Sequence, residues 1–216
     1  MQAPRTRVKI CGLTRAEDVR AACALGADAV GFVCYPGSPR YVEPARLAPL
    51  AAAAGPFVTP VLLFVNAGRE EVSAALSLVP MALLQFHGDE GPRFCASFGR
   101  PYVRAVAVAA GVDLVDFERT YAGARALLAD SPGAGFGGSG QRFEWGRLPP
   151  PDRRALPLIL AGGLDSGNVG GAIEQVRPYA VDVSSGVESE RGIKSVDRMR
   201  EFLMAVRRAD AQSKEA

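Results

Sequence analysis

The sequence contains only one histidine and four widely separated cysteines among its 216 residues. A metal site built from several histidines is therefore impossible. The cysteines Cys11, Cys23, Cys34 and Cys95 form no CxxC pair of the kind that binds zinc or exchanges electrons between thiols. We expect reduced thiols, a cytoplasmic protein and no metal in the functional site.

Long apolar runs and an excess of one charge are also missing. No stretch approaches the roughly 18 to 20 uninterrupted apolar residues of a membrane helix, and the N-terminus lacks the apolar core of a secretory signal. Lysine and arginine total 25 against 23 for aspartate and glutamate, and the basic residues are scattered. The expected partners are therefore small molecules or another protein, with neither a nucleic acid nor a membrane.

Hydrophobic residues make up 48% of the chain, enough for one large core, and no break in composition divides it. Short apolar runs alternate with amphipathic segments from end to end. Most of the apolar runs are continuous, which indicates parallel strands covered on both faces. We predict an α/β fold, a single-domain (β/α)8 TIM barrel over residues 7–208, with a loose tail at 1–6 and a polar tail at 209–216. An open, doubly wound sheet is the alternative.

The apolar runs and the helical spacing between them set the predicted elements. The predicted strands cover residues 7–11, 27–33, 58–65, 81–86, 101–108, 125–129, 156–161 and 180–183. The predicted helices cover residues 15–25, 44–54, 69–78, 91–98, 112–121, 166–176 and 196–208, with a further short helix between the sixth and seventh strands.

Lys9 and Cys11 lie two residues apart in the first predicted strand, so their side chains share one face. A buried ammonium needs a partner, and a neighbouring positive charge makes a thiol easier to ionise. Catalytic groups of a TIM barrel lie at the carboxyl ends of its strands. Cys11 is therefore a candidate catalytic residue, whereas the other three cysteines are interpreted as small buried hydrophobic residues.

Two aspartates occupy comparable places on later strands. Asp130 follows the sixth predicted strand, where an aspartate either starts a turn or serves the site. Asp182 lies inside the apolar eighth strand on the same face as Ser184, so it needs a buried partner or a polar cavity.

Small residues follow the last two strands, at the two loops where TIM barrels usually hold phosphate. They are Gly162 and Gly163 after strand seven, and Ser184, Ser185 and Gly186 after strand eight. Glycines let backbone N–H groups approach an anion closely, and serines add hydroxyl donors. We predict a phosphate site there.

Three other features have more than one interpretation. Residues 135–140 match the GxGxxG dinucleotide fingerprint, but they follow the sixth strand and precede no strong helix, so we interpret them as a mobile loop over the site. Arg40 is either a solvated charge on a loop or a guanidinium that binds a carboxylate. His87 is either a donor that lines the site or a strand-end residue bonded within its own loop.

Taken together, these motifs resemble the phosphoribosylanthranilate isomerase family. They occur in the order found in that family and span nearly the whole chain. The resembling segments are VKICGLT at 8–14, GFV at 31–33, SPRYV at 38–42, QFHGDE at 85–90, LADS at 128–131, GGSG at 137–140 with Phe143 and Trp145, LAGGL at 160–164 and VDVSSGVE at 181–188.

The resemblance implies an isomerase of tryptophan biosynthesis that needs no metal or cofactor. Its reaction is the Amadori rearrangement of N-(5-phosphoribosyl)anthranilate, a phosphosugar, to 1-(2-carboxyphenylamino)-1-deoxyribulose 5-phosphate. Asp130 would be the general acid that protonates the ribose ring oxygen. Cys11 would be the base that takes a proton from the adjacent carbon, helped by Lys9, which would lower the pKa of the thiol.

The resemblance also implies the substrate contacts. Arg40 would contact the anthranilate carboxylate, Asp182 the substrate amine, and the two loops that follow strands seven and eight the phosphate. Lys9 and His87 would line the site. The assembly would be a monomer or a homodimer.

Two alternatives remain at this point. A dual isomerase that also serves histidine biosynthesis would be expected to carry an aspartate in place of Cys11, which argues against it. A catalytically silent barrel that binds a phosphorylated metabolite would not need both Cys11 and Asp130.

Overall fold

Eight parallel strands close into a barrel in sequence order, and the first strand pairs with the last. The structure is a computed structural model that describes residues 5–109, 111–132 and 143–212. The closed barrel confirms the predicted fold and excludes the open sheet. The strands are β1 Arg7–Cys11, β2 Ala29–Val33, β3 Thr59–Phe64, β4 Leu83–Phe86, β5 Tyr102–Ala107, β6 Ala126–Asp130, β7 Leu158–Leu160 and β8 Ala180–Val183.

Helices follow most of the strands and cover the outside of the barrel. They are α1 Ala16–Leu25, α2 Pro44–Ala52, α3 Arg69–Leu78, α4 Pro92–Ala96, α5 Leu114–Thr120, α6 Val169–Val176 and α7 Val196–Gln212. Among the described residues, no helix is both long enough and apolar enough to cross a bilayer.

The connection between β6 and β7 differs from the prediction of a short helix. Its described part forms two 3₁₀ turns, Trp145–Arg147 and Pro151–Arg153. The prolines at 149–151 explain the difference, because each lacks the N–H group that an α-helix would use. The loop that we predicted over the site, at 135–140, lies outside the described residues. The structure also adds a small antiparallel hairpin after β8, β9 Glu188–Glu190 and β10 Ile193–Lys194, that we did not predict.

The two faces of each strand belong to different apolar clusters. Val8 and Ile10 pack in the large cluster that includes helical residues such as Val19, so they face the helices. Cys11 belongs instead to a small cluster with Val33, inside the barrel. The alternation along β1 therefore places Cys11 on the inner face, as its spacing from Lys9 predicts.

The two ends of the described chain are joined. The backbone N–H of Thr6 donates to Asp210 Oδ1 and Oδ2 at 3.1 and 3.0 Å, and the Thr6 hydroxyl donates to Oδ1 at 2.7 Å. Helix α7 continues to Gln212, and Ala209 on it is buried. The last helix therefore ends four residues later than we predicted, because Ala209 packs in the core and Asp210 satisfies the polar groups of Thr6.

The Thr6 contacts predict a measurable contribution to stability. Asp210→Ala should lower the free energy of unfolding by about 1–3 kcal/mol, since it leaves a partly buried N–H and hydroxyl without their acceptor. Urea unfolding followed by circular dichroism measures this. Glu201→Ala, an exposed acid on the same helix, should change the value by less than about 0.5 kcal/mol. Equal losses in the two variants would contradict the assignment.

Candidate active site

A pocket opens at the carboxyl ends of the strands. Cys11 from the end of β1 and Asp130 from the end of β6 both line it. A thiol and a carboxyl group from separate strands therefore face the same cavity. The predicted site residues in its lining are Cys11, Arg40, His87, Asp130, Gly162, Gly163, Asp182, Ser184 and Ser185.

Two predicted site residues, Lys9 and Gly186, are not part of that lining. The ammonium of Lys9 lies 3.0 Å from both carboxylate oxygens of Asp182, its register partner on β8. Lys9 is thus the buried partner that Asp182 required. Gly186 packs against the backbone of Leu164, so closely that a Cβ atom would collide with the Leu164 carbonyl.

The thiol of Cys11 is less acidic than we expected from its neighbour Lys9. Burial raises the pKa of Cys11 above its usual range, and the positive charge of Lys9 offsets only part of this rise. Asp182 opposes Lys9, because its negative charge disfavours a thiolate nearby. Our expectation of a net lowering was therefore wrong. Lys9 itself stays charged: although burial opposes it, pairing with Asp182 raises the pKa of Lys9.

Gly31 provides the space that the thiol occupies. It is the register partner of Cys11 on β2. A Cβ atom at this position would lie 2.8 Å from Cys11 Sγ and 3.1 Å from Lys9 Cε. A side chain here would displace the thiol or the ammonium.

Asp130 is held from two sides. His87 Nε2 lies 3.2 Å from Asp130 Oδ2, and the backbone N–H of Ser131 donates to Oδ1 at 2.8 Å. On the other side of the imidazole, Gln85 Nε2 lies 3.1 Å from His87 Nδ1. If the amide nitrogen donates to Nδ1, the neutral ring carries its proton on Nε2 and donates it to Asp130. Of our two interpretations of His87, this geometry matches the donor that lines the site.

Gln85 is a site residue that our sequence analysis missed, although it lies in the QFHGDE segment. It is buried and lines the pocket. The available signal was its spacing: Gln85 and His87 are two residues apart, so a strand at this position places both side chains on one face.

Arg40 makes a double hydrogen bond to Glu188. Arg40 Nε donates to Oε1 at 2.7 Å and Nη2 donates to Oε2 at 2.8 Å. Arg40 is buried, which excludes the interpretation of this residue as a solvated charge on a loop. Burial would raise the pKa of Glu188, but the hydrogen bonds from Arg40 and Lys194 hold it below its usual range. We had assigned Glu188 no role.

The loop after β7 adopts a conformation that requires glycine. Gly162 and Gly163 have φ angles of +84° and +61°. A Cβ atom at Gly162 would also lie 2.6 Å from the backbone nitrogen of Ser131. Glycine therefore lets loop seven pack directly against the residue that follows Asp130. Within the part of the chain that the structure describes, no group of three or more histidine, cysteine, aspartate or glutamate residues could hold a metal ion.

The closed barrel, with a thiol, a carboxyl group and glycine-rich loops at the carboxyl ends of its strands, defines a TIM-barrel protein with groups suited to acid–base chemistry. A family model described as N-(5'-phosphoribosyl)anthranilate (PRA) isomerase matches residues 8–205. The chain belongs to this family.

Known relatives agree in sequence and in structure. The N-(5'-phosphoribosyl)anthranilate isomerase of Ralstonia nicotianae is 53% identical over 222 residues, covering 98% of this chain and 96% of that protein. The crystal structure of the Thermus thermophilus phosphoribosyl anthranilate isomerase superposes with a TM-score of 0.85 at 34% identity, covering 94% and 99% of the two chains. A phosphoribosyl anthranilate isomerase in complex with reduced 1-(o-carboxyphenylamino)-1-deoxyribulose 5-phosphate has a TM-score of 0.78 at 36% identity, covering 94% and 98%.

The environment of Cys11 predicts how its thiol titrates. Because burial raises its pKa, the thiolate should form only above the ordinary thiol range, and Lys9→Met should move its formation to still higher pH. The ultraviolet absorbance of the thiolate, taken as the difference between the protein and Cys11→Ser, isolates this group. The difference between the protein and Cys23→Ser, measured in the same way, gives the titration of a half-buried thiol for comparison. Ionisation of Cys11 near neutral pH would contradict the prediction.

Proposed function

We propose that the chain converts N-(5-phosphoribosyl)anthranilate to 1-(2-carboxyphenylamino)-1-deoxyribulose 5-phosphate, with Cys11 as base and Asp130 as acid. The observation that carries this proposal is that both residues line one pocket. An Amadori rearrangement moves a proton within the substrate, so it needs an acid and a base that reach the same bound molecule.

The proposed reaction uses these groups in turn. Asp130 donates a proton to the ribose ring oxygen, and the C–O bond at the anomeric carbon breaks to give a protonated Schiff base. Cys11 then removes the proton from the adjacent carbon, acting through the small fraction of thiolate that forms beside the Lys9 ammonium, since burial raises the pKa of the thiol. This step gives an enolamine. Tautomerisation of the enolamine yields the ketone product. His87 and the Ser131 N–H fix the carboxyl group of Asp130, which keeps it oriented toward the ring oxygen.

The proposed contacts hold the substrate at both ends. Backbone N–H groups near Gly163 and Ser185 bind the phosphate, because these loops line the pocket and suit an anion. Asp182 accepts from the substrate amine. Arg40 binds the anthranilate carboxylate with the N–H groups that remain, since its guanidinium has five and Glu188 takes two.

The proposal extends to the setting of the enzyme. The proposed assembly is a monomer or a homodimer, in which the pocket of one barrel contains the proposed acid, base and substrate contacts. The four cysteines are free thiols, which supports the reducing cytoplasm as the location. Cys11, in place of the aspartate expected in the dual isomerase, argues against a second activity in histidine biosynthesis.

Removing either catalytic group should abolish most of the activity. Cys11→Ala and Asp130→Ala should each lower kcat by about 10²- to 10⁴-fold, because each loses a positioned acid or base. Single-turnover loss of substrate fluorescence measures this. Both variants should still be inhibited by inorganic phosphate. Cys23→Ala and Asp197→Ala, which remove the same groups outside the pocket, are the controls. Near-normal turnover in either site variant would refute its role.

His87 should matter only through Asp130. His87→Ala should lower kcat by about tenfold, the effect of one lost hydrogen bond of roughly 1.4 kcal/mol. In the Asp130→Ala background the same substitution should have no further effect, since the group that it orients is gone. Steady-state kinetics of the two single variants and the double variant measure this. A full tenfold loss in both backgrounds would show that His87 acts independently.

A further inference from the structure

The hairpin after β8 brings two buried charged residues next to the pocket, and the proposed reaction uses neither. They are Glu188 on β9 and Lys194 on β10, and the Lys194 ammonium lies 2.8 Å from Glu188 Oε1. The same carboxylate holds Arg40. The side chains of Arg40 and Lys194 therefore both donate to the carboxylate of Glu188.

Lys194 also reaches the phosphate loop. Its ammonium donates to the Ser184 carbonyl oxygen at 3.0 Å and to the Ser184 hydroxyl oxygen at 3.3 Å. An ammonium can only donate, so the Ser184 oxygen accepts and its own hydrogen is left to point elsewhere. Because Ser184 lines the pocket, that hydrogen can serve an anion bound there.

The geometry leaves Lys194 no donor for a ligand. An ammonium has three N–H groups, and Glu188 Oε1 and the two Ser184 oxygens provide three acceptors. The side chain is fully buried and is absent from the pocket lining. The backbone N–H of Lys194 donates to Asp18, which Arg15 holds in turn, so the residue is fixed at both ends. Lys194 can therefore act on a ligand only through Glu188, Arg40 and Ser184.

The charges explain why a second cation is useful here. Arg40 and Glu188 alone would form a neutral pair with little attraction for a carboxylate. Lys194 adds a positive charge, so the three side chains carry a surplus of one. A buried surplus charge is unfavourable until an anion pairs with it, and a substrate carboxylate at Arg40 would provide that anion.

We propose that Lys194 is a positioning residue for both anionic ends of the substrate. Through Glu188 it fixes Arg40 and leaves the cluster positively charged for the anthranilate carboxylate. Through the Ser184 hydroxyl it directs a donor toward the phosphate. The inference rests on the proposed function, in which Arg40 contacts the carboxylate and the loop after β8, which contains Ser184, contacts the phosphate.

The test compares Lys194→Met with the unmodified protein in two measurements. The first is the ratio of kcat/KM for N-(5-phosphoribosyl)anthranilate to that for N-(5-phosphoribosyl)aniline, which lacks the carboxylate. The second is the inhibition constant of inorganic phosphate. Neither quantity depends on the fraction of folded protein. The ratio should fall and the inhibition constant should rise, each by about tenfold or more, the effect of a lost hydrogen bond to a charged group.

Three further variants separate positioning from general damage. Glu188→Gln adds one positive charge to the cluster but cannot accept both N–H groups of Arg40, so the guanidinium loses its fixed orientation. Because the inference requires that orientation, this variant should lose the carboxylate preference and keep the phosphate inhibition. Ser184→Ala should show the opposite pattern. Arg191→Met removes a positive charge from an exposed position on the same hairpin, and it should change neither measurement.

If Lys194→Met does not fold, Lys194→Gln provides the second route. It keeps a donor but not the charge, so the carboxylate preference should fall, and Lys194→Arg should restore it. Retention of the preference in Lys194→Gln, or of both measurements in Lys194→Met, would overturn the inference while leaving the proposed function intact. An unmodified protein without any carboxylate preference would instead overturn the role of Arg40 in the proposed function, and this inference with it.

Discussion

The buried ion pair between Lys9 and Asp182 is the interaction on which the site depends. It joins β1 to β8, the first and last strands of the barrel, at the seam where the sheet closes. Each charge would be strongly unfavourable in the barrel interior without the other. The pair holds Asp182 in the lining of the pocket. Its two charges have opposite effects on the pKa of Cys11, which Lys9 lowers and Asp182 raises. The same ion pair therefore joins the two strands that close the barrel and contributes to the pKa of the Cys11 thiol.

Much of the fold follows from local patterns along the chain. The continuous apolar runs predicted eight buried strands, and each predicted strand contains the observed one except β6, which continues to Asp130. The two-residue spacing of Lys9 and Cys11 placed Cys11 on the inner face of β1. The glycines after β7 indicated a tight loop at the site. These features were predictable because strand periodicity and glycine conformation are properties of neighbouring residues.

The features that we missed depend on residues far apart in sequence. Arg40 and Glu188 are separated by 148 positions, so their pairing becomes visible only once the barrel is closed. The acidity of Cys11 depends on how completely other strands bury it, and the charge of Lys9 alone gave the wrong direction. The family resemblance predicted roles for Cys11, Asp130 and Arg40, but it did not predict that Glu188 accepts two of the hydrogen bonds that Arg40 can donate.

The hairpin β9–β10 follows all eight barrel strands in the chain, and this order matters for how the site is assembled. A growing chain contains Cys11 and Asp130 well before Glu188 and Lys194 can join Arg40. Until the hairpin forms, Arg40 lacks the carboxylate of Glu188 that holds its guanidinium. Completion of the eight strands is therefore not sufficient to order the cationic side of the pocket, which depends on the segment that follows them.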